Sequence, residues 1–212
     1  GLLAPYRFLD VAYELGIVHQ IDRMVFSKAV VECRLAAHQG IVLPKVSFNV
    51  SSERIKDEQL IQDARLLRDF PGEVAFELLE SVFVEEEGDA FAMNIDRLKE
   101  LGIAFELDDF GSGRASIIAL TRIAPSRLKI DKRLVDPIEH SSSARSLVKA
   151  IVDIGTALNV GITAEGVETE EQALILRDVG CEVLQGFLFA KPLPITELGP
   201  YFEITGRVAQ RR

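Results

Sequence analysis

One unit recurs along this chain and limits what it can fold into: an amphipathic stretch, a glycine or proline, a short β-rich run, and a polar residue at or near the end of that run. The runs are Pro44–Val50 after Gly40, Glu73–Leu79 after Gly72, Ile103–Asp108 after Gly102, Arg127–Asp131 after Pro125, Ile162–Glu165 after Gly161, and Cys181–Gln185 after Gly180. Glycine just past a helix end tolerates the left-handed conformation required there. Four to seven mostly apolar residues between such signals fit strands of a parallel sheet. Helical periods are expected over Pro5–Leu15, Gln20–His38, Lys56–Arg68, Asp89–Leu101, Ala144–Leu158 and Thr169–Val179, each with one apolar stripe suited to a sheet. Alternation of this kind implies right-handed βα crossovers.

Two closures are open to such a sheet. In an open doubly wound sheet, ligand groups concentrate at the switch point. In a barrel, every strand end faces one mouth and several strands contribute. Here each of the six runs delivers a polar group: Asn49, Glu77, Asp108, Lys129, Glu165 and Gln185. That distribution favours an α/β barrel of the (β/α)8 type. Six runs leave two strands unaccounted for, and they are expected before Gly1.

A length of 212 residues suits one domain, expected over 1–205, with 206–212 as a frayed tail. Thirty-three acidic against 24 basic residues give a net charge of −9, which argues against a nucleic-acid polymer as partner. A small anionic ligand held through bound cations stays open. Cys33 and Cys181 form no CxxC pair, so a disulfide framework or structural zinc site is not indicated; each reads as a packed small apolar group. No stretch reaches the roughly 18 apolar residues of a membrane span, and no signal peptide is visible, so a cytoplasmic domain without membrane contact is expected.

Around one mouth the runs and their continuations would gather Glu77 and Glu80, Asp108 and Asp109, and Glu165 and Glu168, with Asn49 and Lys129. So many carboxylates stay ionised together only with counter-charge. Oxygen-rich sets of this kind suit Mg²⁺, Mn²⁺ or Ca²⁺. Lys129 lies between Leu128 and Ile130, so strand alternation points it the opposite way, into the barrel. Glu106 shares the parity of Asp108 and reads as a structural acid paired with a nearby base. Glu85-Glu-Glu87 reads as a solvated run, and His19, His38 and His140 as isolated surface or turn residues.

Val46-Ser-Phe-Asn-Val-Ser51, Phe76-Glu-Leu-Leu-Glu-Ser81, Leu107-Asp-Asp-Phe-Gly-Ser-Gly113, Leu128-Lys-Ile-Asp131, Ala164-Glu-Gly-Val-Glu-Thr169 and Gln185-Gly186 through Lys191-Pro192 together resemble the EAL domain family, from about Gly1 to Pro194. The resemblance implies a barrel that hydrolyses cyclic-di-GMP to linear pGpG with Mg²⁺ or Mn²⁺, through two ions, and is inhibited by Ca²⁺. It implies metal ligands at Asn49, Glu77, Asp108, Asp109 and Glu165, with Glu165 also the general base. Lys129 would orient the attacking water, and Glu80 would support the loop of Phe110, Gly111, Ser112 and Gly113. Glu168 and Gln185 would complete the pocket. A homodimer with Arg114–Ile123 near the interface, and a sensor or cyclase (GGDEF) domain fused upstream, are further implications.

Two departures stand out. Leu79 replaces the family's usual threonine. The namesake Glu-Ala-Leu motif, whose glutamate is a metal ligand, is absent from these residues, which implies poor metal binding by the chain alone. A receptor domain that binds cyclic-di-GMP without cutting it is therefore the alternative. A barrel glycosidase is disfavoured by the lack of tryptophan and the presence of only three tyrosines.

Overall fold

The computed structural model describes residues 7–80, 88–111 and 117–205. All six runs become strands: β1 (Lys45–Asn49), β2 (Glu73–Leu79), β3 (Ile103–Phe110), β4 (Arg127–Ile130), β5 (Gly161–Ala164) and β6 (Val183–Leu184). They pair in parallel in chain order, β1 to β6, as the alternation of the sequence requires. The described residues thus carry six strands of a curled parallel barrel wall.

In-register pairing turns the period of two into two unlike faces. Val46, Val74 and Ile103 align across three strands, as do Phe48, Phe76 and Phe105. Leu78, Leu107, Leu128 and Ile162 continue the same face. These side chains form the core with the helices that cover them. Its aromatic centre is edge-on: Phe76 meets Phe48 and Phe105 with ring centroids 6.2 Å apart, and Phe26 reaches down from a helix to within 4.8 Å of Phe48. Offset contacts of this kind are favoured over face-to-face stacking.

The opposite face is polar or small. Lys45 and Glu73 align, then Asn49 beside Glu77, and Glu77, Glu106, Arg127 and Gly161 in one row. Parallel strands usually bury apolar side chains on both faces, so this face needs internal counter-charge. Near the amino ends of the strands Glu106, 3% exposed, is paired with Lys45 and lies 3.7 Å from Arg127 Nε. Arg127 in turn lies 3.5 Å from Glu182, and Lys45 lies 3.0 Å from Glu73. Glu106 is therefore paired with bases from β1 and β4, as its parity suggested.

Two helices precede the sheet, α1 (Leu9–Glu14) and α2 (Val18–His38). The expected Lys56–Arg68 helix is instead α3 (Ser52–Lys56), α4 (Glu58–Ala64) and a 3-10 turn over Arg65–Leu67. Asp57 breaks it by taking an extended backbone and accepting from Gln59 N–H at 2.8 Å. The polar side chain competes for the backbone there. Buried Arg54 pairs with both Asp57 and Asp63 across the break.

Further along come α5 (Asp89–Glu100), α6 (Ile117–Ile123), α7 (Lys132–Val135), α8 (Ser142–Leu158), α9 (Glu170–Val179) and α10 (Ile195–Thr205). The periodicity marked α5, α8 and α9 but not α6, α7 or α10. α9 begins at Thr169 with a capping box to Gln172 and ends at Gly180 with φ +111°. Both ends therefore satisfy backbone groups that a helix leaves open. Among the described residues no helix is long and apolar enough to cross a membrane. The Glu85–Glu87 run and the tail 206–212 lie outside the described residues, as do the first three residues of the Arg114–Ile123 segment.

After β6 the chain backs directly onto the loop that follows β5. Val167 N–H donates to Gln185 O at 3.0 Å, and Leu188 N–H donates to Val167 O at 3.0 Å. A Cβ on Gly186 would lie 2.1 Å from Val167 O and 2.3 Å from Val167 N. Gly186→Ala is expected to destabilise the fold by about 1–3 kcal/mol, because backbone must move to admit the methyl. Urea denaturation measures it, and an unchanged midpoint would contradict the close approach.

Candidate active site at the carboxyl ends of the strands

Lys129 organises the mouth. Leu128 and Ile130 are fully buried in the core on the other face, so strand alternation turns Lys129 inward, where its side chain is 6% exposed. Its Nζ donates to Glu77 Oε2 at 2.8 Å and to Asp108 Oδ1 at 3.0 Å, and it pairs with Glu165 Oε1 at 2.7 Å. One ammonium thus serves carboxylates from β2, β3 and the end of β5. Burial pulls its pKa down, but the Glu77 charge, the hydrogen bonds Lys129 donates to Glu165 and Glu77, and Asp108 outweigh it, and the group is held well above the ordinary lysine value. It is a cation at every physiological pH.

Asp108 and Asp109 are adjacent, so strict alternation would separate them across the sheet. The structure brings both to the mouth. The β3–β4 register shifts between Leu107 and Phe110, and Asp109 has φ +54°. A strand irregularity of this kind re-aims a side chain, and aspartate tolerates the left-handed region better than most residues. Carboxylate oxygens of Asp108, Asp109 and Glu165 all lie within 4.8 Å of one another. Burial raises the Glu165 pKa most; Lys129 opposes this, while Asp108 and Glu77 add to it. Asp109 is raised by burial first, then by Asp108 and Asp131, against Arg133 and Lys129. All the donors of this trio are carboxylate oxygens, a chemistry suited to a hard divalent cation.

The other expected residues fall around this centre. Asn49 pairs in register with Glu77. Both line a cavity of about 510 Å³ with Asp22, Ser51, Phe26 and Leu79. Glu77 is tied to the carboxylate trio through Lys129. Glu80 is buried, and its N–H donates to Asp108 O at 3.1 Å, bracing the start of the loop. Phe110 is buried, and Gly111 has φ +100° with Leu134 Cδ1 only 2.5 Å from where a Cβ would sit. Ser112 and Gly113 lie outside the described residues. Glu168 stands on the rim, paired with Lys132, whose stem crosses Gly166. Gln185 is exposed just past β6, its N–H donating to Ala164 O at 2.9 Å.

Two acids near the site had no assigned role in the sequence. Asp131 is buried, caps α7 and acts electrostatically on Asp109. The period that turns Lys129 inward was the available signal, since Asp131 lies two residues on. Asp22 accepts from Ser51 N–H at 3.0 Å and ties α2 to the end of β1 beside Asn49. No local pattern marks Asp22, because the contact spans 29 residues.

The raised carboxylates set a pH dependence. Glu165 and Asp109 lie above their ordinary values of 4.5 and 3.8, so the folded chain keeps protons that the unfolded chain has released. Stability from that source is present below those values and lost as pH climbs through the folded ones. A divalent cation takes the same groups ionised, so its stabilisation should grow over the same interval. Melting curves with EDTA or Mn²⁺ at stepped pH measure both trends. A Mn²⁺-induced rise in Tm that is equal at pH 4 and pH 7 would contradict this.

Comparison with known proteins agrees with this architecture. The family model for the EAL domain matches residues 1–192. The bifunctional diguanylate cyclase/cyclic di-GMP phosphodiesterase MucR of Pseudomonas aeruginosa is 35% identical over 202 residues, covering 93% of this chain and 29% of MucR. The oxygen sensor protein DosP of Escherichia coli is 35% identical over 205 residues, covering 93% of this chain and 25% of DosP. The chain therefore spans roughly a quarter of the length of these curated relatives. Among solved structures, the PaMucR phosphodiesterase in complex with c-di-GMP superposes with a TM-score of 0.82 at 34% identity, over 93% of this chain and 81% of that one. The barrel read from six polar strand ends is the barrel of these relatives, and with the family match running from the first residue to Lys191-Pro192, the chain belongs to the EAL domain family.

Proposed function

We propose that this chain is the output domain of a larger signalling protein that hydrolyses one phosphodiester bond of cyclic-di-GMP, giving linear pGpG. The observation that carries the reading is the single Lys129 ammonium shared by Glu77, Asp108 and Glu165, with Asp109 beside them. Its support from relatives is that MucR is named a cyclic di-GMP phosphodiesterase and its phosphodiesterase was solved as a c-di-GMP complex.

Asp108, Asp109 and Glu165 would hold Mg²⁺ or Mn²⁺, with Glu77 and Asn49 completing a two-ion set. Bound there, such ions make water acidic and neutralise phosphoryl oxygens. Ca²⁺, larger and looser in coordination, is expected to inhibit. The remaining chemistry belongs to the protein. Glu165, with its raised pKa, takes a proton from the attacking water. The water oxygen bonds to phosphorus as the bond to one 3′ oxygen breaks, and that oxygen leaves with the bonding pair and takes a proton from solvent to become the free 3′ hydroxyl of pGpG. Lys129 orients that water and offsets the charge that develops on the phosphoryl group. Glu80 keeps the Asp108 backbone in place, and Glu168 and Gln185 bound the rim. A homodimer, an upstream sensor or cyclase domain and a cytoplasmic setting complete the reading.

Incubating the natural protein that carries this chain with cyclic-di-GMP and Mn²⁺ tests the function. pGpG is the expected product; tight binding without product would favour the receptor alternative. Asp108→Asn should abolish turnover, by roughly a hundredfold or more, while leaving the fold intact. Lys129→Ala should lower kcat by about a hundredfold with little change in KM. A pure KM effect would make Lys129 a binding residue.

A further inference from the structure

Asp131 closes β4 two residues beyond Lys129. Both of its oxygens accept from Arg133, but from different groups. Oδ1 accepts from Arg133 N–H at 2.8 Å, the ordinary cap of a helix start. Oδ2 accepts from Arg133 Nε at 2.8 Å and also from Nη2. The cap needs only the first oxygen, so the guanidinium is an addition to it. Exposure differs sharply across the pair: the Asp131 side chain is 7% exposed and that of Arg133 73%. A buried carboxylate is thus neutralised by a cation standing at the solvent edge of the mouth. Asp131 N–H donates to Phe110 O at 3.3 Å, which sets the pair beside the turn of Asp109, and there the two charges act on Asp109 in opposite senses.

We propose that Arg133 is a positioning residue. By holding Oδ2 of Asp131 it cancels a further negative charge beside Asp109, and so sets how tightly the carboxylate cluster takes a divalent cation. The inference rests on the reading that these carboxylates hold such cations. Asp131 with Arg133 is neutral; without Arg133 it adds a free carboxylate next to Asp109. Lysine at this position would keep the charge but not the paired donors of the guanidinium.

Mn²⁺ titration of the natural protein that carries this chain, read from the electron paramagnetic resonance of the free ion, tests this. Arg133→Gln should tighten Mn²⁺ binding roughly tenfold, as one uncompensated charge near a divalent cation predicts. Arg133→Lys should move it less. The double variant Asp131→Asn with Arg133→Gln should return to the wild-type affinity. An intact Arg133→Gln protein that binds no tighter than wild type overturns the proposal, and so does a double variant as tight as Arg133→Gln. Should Arg133→Gln fail to fold, Asp131→Asn alone decides: roughly tenfold weaker binding supports the proposal, and unchanged binding overturns it. Failure of the functional reading appears separately, as wild-type protein that binds Mn²⁺ but forms no pGpG. Wild type that takes no Mn²⁺ overturns this inference together with the metal part of that reading.

Discussion

Everything at the mouth depends on one buried ammonium. A carboxylate withdrawn from water without a partner costs several kcal/mol. Three of them, from β2, β3 and the end of β5, share Lys129 within 3.0 Å. Breaking a buried pair by deleting one partner typically costs about 3–5 kcal/mol. The lysine therefore keeps a dense set of acids close together before any other cation arrives. Its own position is dictated by Leu128 and Ile130, whose full burial in the core leaves the inner face as the one place for it.

The same logic extends down the inner wall. Helix-facing side chains form a continuous apolar layer of phenylalanine, leucine and isoleucine. The inner face has two ionic levels instead. Lys45, Glu106 and Arg127 sit near the amino ends of the strands, and Lys129 with its acids near the carboxyl ends. In the lower level each acid is paired with Lys45 or Arg127, a structural arrangement. In the upper level four acids, Glu77, Asp108, Asp109 and Glu165, gather around one lysine. This contrast separates Glu106 from Glu77, although the two align in register on neighbouring strands.

Loops convert this wall into a site. Asp109 reaches the mouth only because the strand slips out of register beside it, and Gly111 follows in a conformation that L side chains rarely adopt. Gly186 lets the segment after β6 lie on Val167 with backbone against backbone. The Asp131–Arg133 pair places a solvent-side cation where the acidic cluster begins. Such features lie where strand geometry ends, so the mouth combines rigid strand residues with specialised turns.

The alternation of side chains was legible in the sequence because it is local: neighbouring residues on a strand must point to opposite faces. The recurring glycine- or proline-bounded runs located all six strands, and alternation turned Lys129 inward and gave Glu106 the parity of Asp108. The helix break at Asp57 was not legible, since it depends on Arg54 bridging Asp57 and Asp63. Nor were Asp22 at the end of β1 or the register shift by which Asp109 joins Asp108 at the mouth. Those depend on register and on contacts between distant segments, which no local period encodes. The sequence by itself determined which residues line the wall; the curl and register of the sheet decided which of them meet, because the distance between strand ends is a property of all the strands together.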